Sequence, residues 1–242
     1  MQKPPEPPAD VAPHRVVGVI GGMGPEATVD LMRRVIAKTP ADDDQDHVHL
    51  IVESNPKIPS RIAHLIEGTG PDPTPELIRI ARNLQQAGAQ ALAIPCNTAH
   101  GYAPAIRRAV TIPLLDMIAL TVQRITAAGK VRSVGLLAST AVINTGLFTE
   151  ALAAEGIRTV LPPQQDQVMA LIRGVKRGET GPQAQEQLGR LAGELAAHSD
   201  VLLVACSELS VITGRIKVPF VDSLDVLAEA VVEFATAGAS VG

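Results

Sequence analysis

Two cysteines are the only thiols among the 242 residues of the chain, and they stand in matching settings. Cys96 lies in ALAIPCNTAH and Cys206 in VLLVACSELS; each follows an apolar, strand-like run and precedes small polar residues. A thiol just after a strand and near the start of a helix is biased toward the thiolate by the helix N-terminus. Taken singly, such a cysteine reads equally as a small buried hydrophobe. As a matched pair, the two approach one cleft from opposite sides if the halves that carry them are related by a pseudo-twofold axis. That geometry suits a reaction needing one acid and one base on opposite faces of a single carbon.

Further side chains surround the pair. Asn97 and Thr98 follow Cys96 and offer donors to a carboxylate or a developing enolate. Ser207 and Glu208 follow Cys206, where Glu208 either caps the next turn or orients a ligand's ammonium group. His100 could pair with Cys96 as a Cys–His couple. The first glycine-rich turn, GVIGGMGPEAT, reads either as an anion cradle or as a tight turn with Pro25 opening a helix. It lacks both the G-x-G-x-x-G spacing and a Gly-Lys-Ser/Thr ending. In the segment from Glu53 to Arg61, Pro56 and Pro59 stiffen a loop that aims Arg61, a residue suited to bidentate carboxylate binding or to a surface ion pair. Lys176, taken alone, reads as surface charge. The cysteines and histidines form no ligand spacing for a metal.

The elements that must position these residues are duplicated. Arg15–Thr28 corresponds to Arg132–Thr145, ALAIPCNTAH to VLLVACSELS, and Ile112–Ile125 to Val218–Val232, with Pro-x-x-Asp recurring at Pro113–Asp116 and Pro219–Asp222. Runs such as Val16–Ile20, Leu50–Glu53, Ala91–Ile94 and Val134–Leu137 are rich in Val, Ile and Leu without polar alternation, the pattern of parallel strands buried on both faces. Segments 28–37, 75–87, 119–128, 147–155 and 183–197 have helical composition and spacing. Alternating strands and helices predict an α/β fold of two pseudo-symmetric lobes, each a parallel sheet flanked by helices, with the site in the cleft between them. The expected organisation is a disordered Pro-rich tail over 1–14, a first lobe over 15–115 and a second over 116–220. A last helix within 221–238 packs back on the first lobe. Asp116 and Asp222 are expected to cap helices.

Composition narrows the function. The chain is 46% hydrophobic but only 2% aromatic, so its core must be Ala, Val, Leu and Ile. A net charge of −4 and the scarcity of stacking aromatics argue against nucleic acid. No apolar run reaches membrane-span length. The N-terminus lacks an apolar signal core, and two cysteines suit a reducing cytoplasm rather than a disulfide scaffold.

These motifs resemble the aspartate/glutamate racemase family of cofactor-independent amino-acid racemases. The resemblance rests on GGMGPEAT, SNPKIPSR, PCNTAH and ACSEL and covers nearly the whole chain beyond the tail. It implies Cys96 and Cys206 as paired acid and base, and Asn97 and Thr98 on the substrate α-carboxylate with Met23 and Ser54 nearby. It further implies Ser207 and Glu208 beside the second thiol, a substrate contact at Ser139, and Arg61 and Lys176 on a distal carboxylate. A homodimer and an amino-acid substrate are implied with it, and no cofactor. The chain departs from the family pattern with Ser207 for threonine, Ala205 for glycine, Ser60 for aspartate and Phe148 at a tyrosine place. The other readings are a related cysteine isomerase, hydantoin racemase or decarboxylase, and a two-lobed binding protein without catalysis.

Overall fold

The computed structural model describes residues 14–237, so the expected tail lies outside them except for His14. Strand β1 (Val17–Gly21) is buried at every residue, as a strand covered on both faces must be. It pairs in parallel with β2 (Leu50–Ser54) on one side and β3 (Ala91–Ala93) on the other, Val17 standing opposite both Leu50 and Ala91. Leu114 bridges to Leu92 beyond β3. Helices α1 (Pro25–Lys38), α2 (Thr74–Gln86) and α3 (Ala103–Ala109) belong to this half, and α4 (Met117–Ala127) leaves it.

The second half repeats the plan. Strand β4 (Ser133–Ala138), also wholly buried, is followed by α5 (Thr140–Asn144), α6 (Leu147–Ala154), β5 (Arg158–Val160), α7 (Gln165–Lys176) and α8 (Pro182–Ala196). Then come β6 (Val201–Ala205), α9 (Ser207–Ser210), β7 (Phe220–Asp222) and α10 (Ser223–Thr236). The strand orders are β2-β1-β3 and β5-β4-β6-β7, all parallel. With the Leu114 bridge counted at the place of β7, the two orders are the same. The correspondence extends to matched glycines. A Cβ on Gly18 would come within 2.9 Å of the Ala89 side chain, and one on Gly135 within 2.6 Å of Leu202.

Each half sends its last helix to the other. Ile118, Val122 and Ile125 of α4 pack with Val134, Leu136 and Leu203 of the second sheet. Leu224, Leu227 and Val231 of α10 pack with Val17, Val19, Leu31 and Val35 of the first half. Asp116 caps α4 by accepting from the backbone N–H groups of Ile118 and Ala119, and Asp222 caps α10 by accepting from that of Leu224. No helix of the described residues is long and apolar enough to cross a membrane.

Candidate active site

The four central strands end on one cleft. After β1, Gly22 adopts φ of +90°, and a Cβ there would meet the Asn55 backbone at 2.3 Å, so only glycine fits this turn. The turn delivers Met23 to the cleft wall, while Thr28 secures it by accepting from the Gly22 N–H at 2.9 Å. After β3 come Cys96, Asn97 and Thr98; after β4, Ser139; after β6, Cys206, Ser207 and Glu208, and all line the same cleft. The sequence places these residues at the carboxyl ends of parallel strands, where ligands gather in open α/β sheets.

Cys96 and Cys206 are both free and buried. The Cys206 thiol donates to Glu208 Oε2 at 3.2 Å. Burial pushes this thiol well above its ordinary value. The Glu208 charge and the thiol's hydrogen bond to it push the same way, against smaller help to the thiolate from the N–H groups of Leu209 and Glu208. The helix-start argument for an acidified cysteine therefore does not extend to Cys206, because α9 is one short turn and desolvation outweighs its dipole. Lys176, the last residue of α7, brings Nζ to 3.6 Å from Glu208 Oε1.

His100 is not a partner of the Cys96 sulfur. Its buried ring donates from Nδ1 to the Cys96 carbonyl at 3.0 Å, and its Nε2 accepts from the Met117 backbone N–H at 3.2 Å. Burial lowers its pKa, so the neutral tautomer with hydrogen on Nδ1 satisfies both bonds.

Asn97 is 2% exposed, yet neither its Nδ2 nor its Oδ1 has a partner among the described residues. Arg61 lies half-buried in the wall with Nη1 donating to the carbonyls of Pro59 at 2.9 Å and Ile58 at 3.4 Å, while its buried Nε is unpaired. The proline-stiffened loop thus holds the guanidinium by its own backbone. Ser139 caps α5 through Oγ, which accepts from the Val142 N–H at 3.3 Å. Ser54 is exposed at the end of β2 and is not part of the cleft lining. Ser60, Ile62, Val142 and Ile172 also line the cleft. The three apolar ones carry no sequence signal that separates them from ordinary core positions.

The cleft has about 30 Å³ of water-accessible space, enough for no more than a water or two. Ser60, Arg61, Lys176 and Glu208 form a neck shared with an outer groove of about 700 Å³ that also touches Pro25, Lys57 and Pro59. Among the described residues, no group of three His, Cys, Asp or Glu side chains is placed to hold a metal ion.

The chain as a whole is similar to known amino-acid racemases. The family described as Asp/Glu/hydantoin racemase matches residues 20–231. An aspartate racemase structure from Picrophilus torridus is 33% identical, with a TM-score of 0.84 over 91% of this chain and 94% of that one. The broad specificity amino-acid racemase RacX of Bacillus subtilis is 27% identical over 224 residues, 90% of this chain and 96% of the relative. A glutamate racemase structure from Bacillus anthracis shares the fold at 19% identity, with a TM-score of 0.62 over 90% of this chain and 80% of that one. The family match over residues 20–231, with the likeness to the P. torridus structure and to the B. subtilis racemase, makes the chain an isomerase that belongs to the Asp/Glu/hydantoin racemase family.

Proposed function

We propose that the protein racemises an acidic amino acid, aspartate ahead of glutamate, by two-base proton transfer without a cofactor. The observation that carries this reading is that Cys96 and Cys206 line one cleft from opposite lobes. Cys96 as thiolate removes the α-proton, and the Cys206 thiol delivers its own proton to the other face of the carbanion. Cys96 is left as thiol and Cys206 as thiolate, the state from which the opposite enantiomer is converted. The raised pKa of Cys206 supports its role as the waiting acid. When the opposite enantiomer meets the resting enzyme instead, Cys206 must first lose its proton, and Glu208, 3.2 Å away, is the group to take it while Cys96 takes one from solvent.

The unpaired amide of Asn97 is a buried polar group without a partner, and a substrate satisfies it. Its Nδ2 donates to the α-carboxylate while its Oδ1 accepts from the ammonium group. Thr98 adds a donor, and fixed donors around the carboxylate stabilise the carbanion. The remaining cations, Arg61 and Lys176, stand at the neck and clamp a distal carboxylate. The small cleft volume implies that the neck widens to admit substrate. The apolar residues Ile62, Val142 and Ile172 favour a second reading in which aliphatic amino acids are also accepted, and the B. subtilis relative is named a broad specificity amino-acid racemase. We propose further that the protein acts in the cytoplasm as a homodimer, the state its resemblance to the family implies.

The test is Cα–H exchange and inversion in deuterated water across a panel of L- and D-amino acids, with no cofactor added. Cys96→Ala and Cys206→Ala are expected to abolish racemisation; full activity in either variant rejects the pairing. A charge-assisted hydrogen bond contributes about 1.5–3 kcal/mol, or about tenfold or more in binding. Arg61→Ala should therefore raise KM for aspartate by about that factor and leave alanine little changed. An equal effect on both substrates transfers the assignment to the broader reading.

A further inference from the structure

The residues four positions after each cysteine differ in type but make the same connection. His100 donates to the Cys96 carbonyl and accepts from the N–H of Met117, the first residue of α4, whose cap Asp116 is paired with Arg107 at 2.6 Å. Ser210 donates its backbone N–H to the Cys206 carbonyl at 3.0 Å. Its single hydroxyl hydrogen goes to Asp222 Oδ1 at 2.6 Å, the closer and charged of two acceptors in reach. Asp222 is the cap of α10 and is paired with Arg34 of α1 at 2.8 Å, and Arg34 also donates to the Ser210 carbonyl at 2.9 Å.

Each link runs to a helix that has crossed over. The turn after Cys96 is tied to Met117, which packs in the first half at the head of α4, whose following residues pack on the second sheet, and the turn after Cys206 is tied to α10 and α1, which pack on the first. Each thiol is thereby registered against the lobe that carries the other. We propose that His100 and Ser210 are a matched pair of positioning residues that set the separation of the two thiols across the cleft, each governing the cysteine before it. The inference rests on the two-base reading for its consequence in catalysis, since proton transfer on opposite faces of one carbon tolerates little error in that separation. Neither side chain is itself part of the cleft lining, so neither acts on the substrate directly.

The experiment uses the full chain and compares His100→Ala, Ser210→Ala and Ser210→Thr with the wild type. Two readouts are taken: kcat and KM for racemisation, and the iodoacetamide alkylation rate of each cysteine, followed separately by peptide mass. Each alanine variant is expected to lose about tenfold to a hundredfold in kcat with little change in KM. His100→Ala should change the alkylation rate of Cys96 severalfold and leave that of Cys206, and Ser210→Ala the reverse. Ser210→Thr keeps the hydroxyl and should restore both readouts. If an alanine variant fails to fold, His100→Asn, which keeps a donor near the Cys96 carbonyl but cannot reach Met117, should still move Cys96 selectively. Alkylation changed equally at both cysteines, or at neither, overturns the proposal. Absence of racemisation in the wild type would defeat the function proposed above, while the thiol-selective readout would still decide this one.

Discussion

A protonated thiol hydrogen-bonded to a carboxylate at 3.2 Å is an unusual resting state for a cysteine proposed to serve also as a base. Desolvation alone raises the thiol's pKa, and Glu208 raises it further by charge and by accepting the thiol's hydrogen. Glu208→Gln removes the charge and leaves beside the thiol only a neutral amide, a weaker acceptor for the thiol and an available donor to the thiolate, so the titration of Cys206 moves to lower pH. At a fixed pH below that titration, more thiolate is present. Its intrinsic nucleophilicity falls more slowly than its population grows, with a Brønsted slope of about 0.4–0.5, so alkylation of Cys206 speeds up. The expected outcome is a pH–rate profile for Cys206 alkylation displaced downward, together with slower conversion of the enantiomer that needs Cys206 as base, because no neighbouring carboxylate takes its proton. An undisplaced profile would mean that burial alone sets the thiol. Lys176 stands on the far oxygen of the same carboxylate at 3.6 Å, so one cation both faces the neck and steadies the group that controls Cys206.

At the scale of elements, the two crossing helices begin on equivalent aspartates in unlike surroundings. Asp116 is partly exposed and its partner Arg107 is 45% exposed, so losing it costs the cap, about 0.5–2 kcal/mol, and an ion pair worth about 0–1 kcal/mol. Asp222 is 6% exposed and Arg34 has a side chain 13% exposed, so removing the carboxylate leaves a buried guanidinium short of a partner, at a cost of about 3–5 kcal/mol. Asp30 and Asp225 remain on Arg34 and hold the loss near the lower figure. Denaturant unfolding should therefore find Asp222→Ala clearly more damaging than Asp116→Ala, and equal losses would contradict the role given to Arg34. Both caps were legible in the sequence because Pro-x-x-Asp recurs before an amphipathic run. The central strands were legible because unbroken Val/Ile/Leu runs have few other uses. The start of α1 lies three residues earlier than its periodicity suggests, since Pro25 supplies the first turn without any apolar repeat. The thiols announced themselves by being alike. His100 and Ser210 did not, since unlike residues share one task there, and Ile62, Val142 and Ile172 look in sequence like any core residue. Ser54 belongs to a recognisable motif, yet it ends β2, an edge strand only part-buried along its length, and stands exposed.

At the scale of the whole molecule, the duplication does more than present two thiols. Two lobes joined only by a linker would leave their separation free, whereas the exchange of α4 and α10 makes each lobe part of the other's core. Arg15 reinforces the exchange: its N–H donates to the Ala235 carbonyl at 3.0 Å and its guanidinium lies 4.0 Å from the centre of the Phe234 ring. Rigidity between lobes conflicts with a cleft that has room for only a water or two, so substrate entry has to be carried by the neck formed by the Arg61 loop and the end of α7. Leu227 of α10 is fully buried against the first sheet, although its helix follows the last strand of the second. Leu227→Ala should cost about 2–5 kcal/mol through lost transfer energy and the cavity left behind. If the exchanged helices make one cooperative unit, amide hydrogen exchange will show protection falling together in β1 and in β4 and β6, although the cavity touches only the first half. Protection lost in β1 alone would show that the lobes open independently. The register of Cys96 against Cys206 would then have to come from the local links at His100 and Ser210 and not from the exchange of helices.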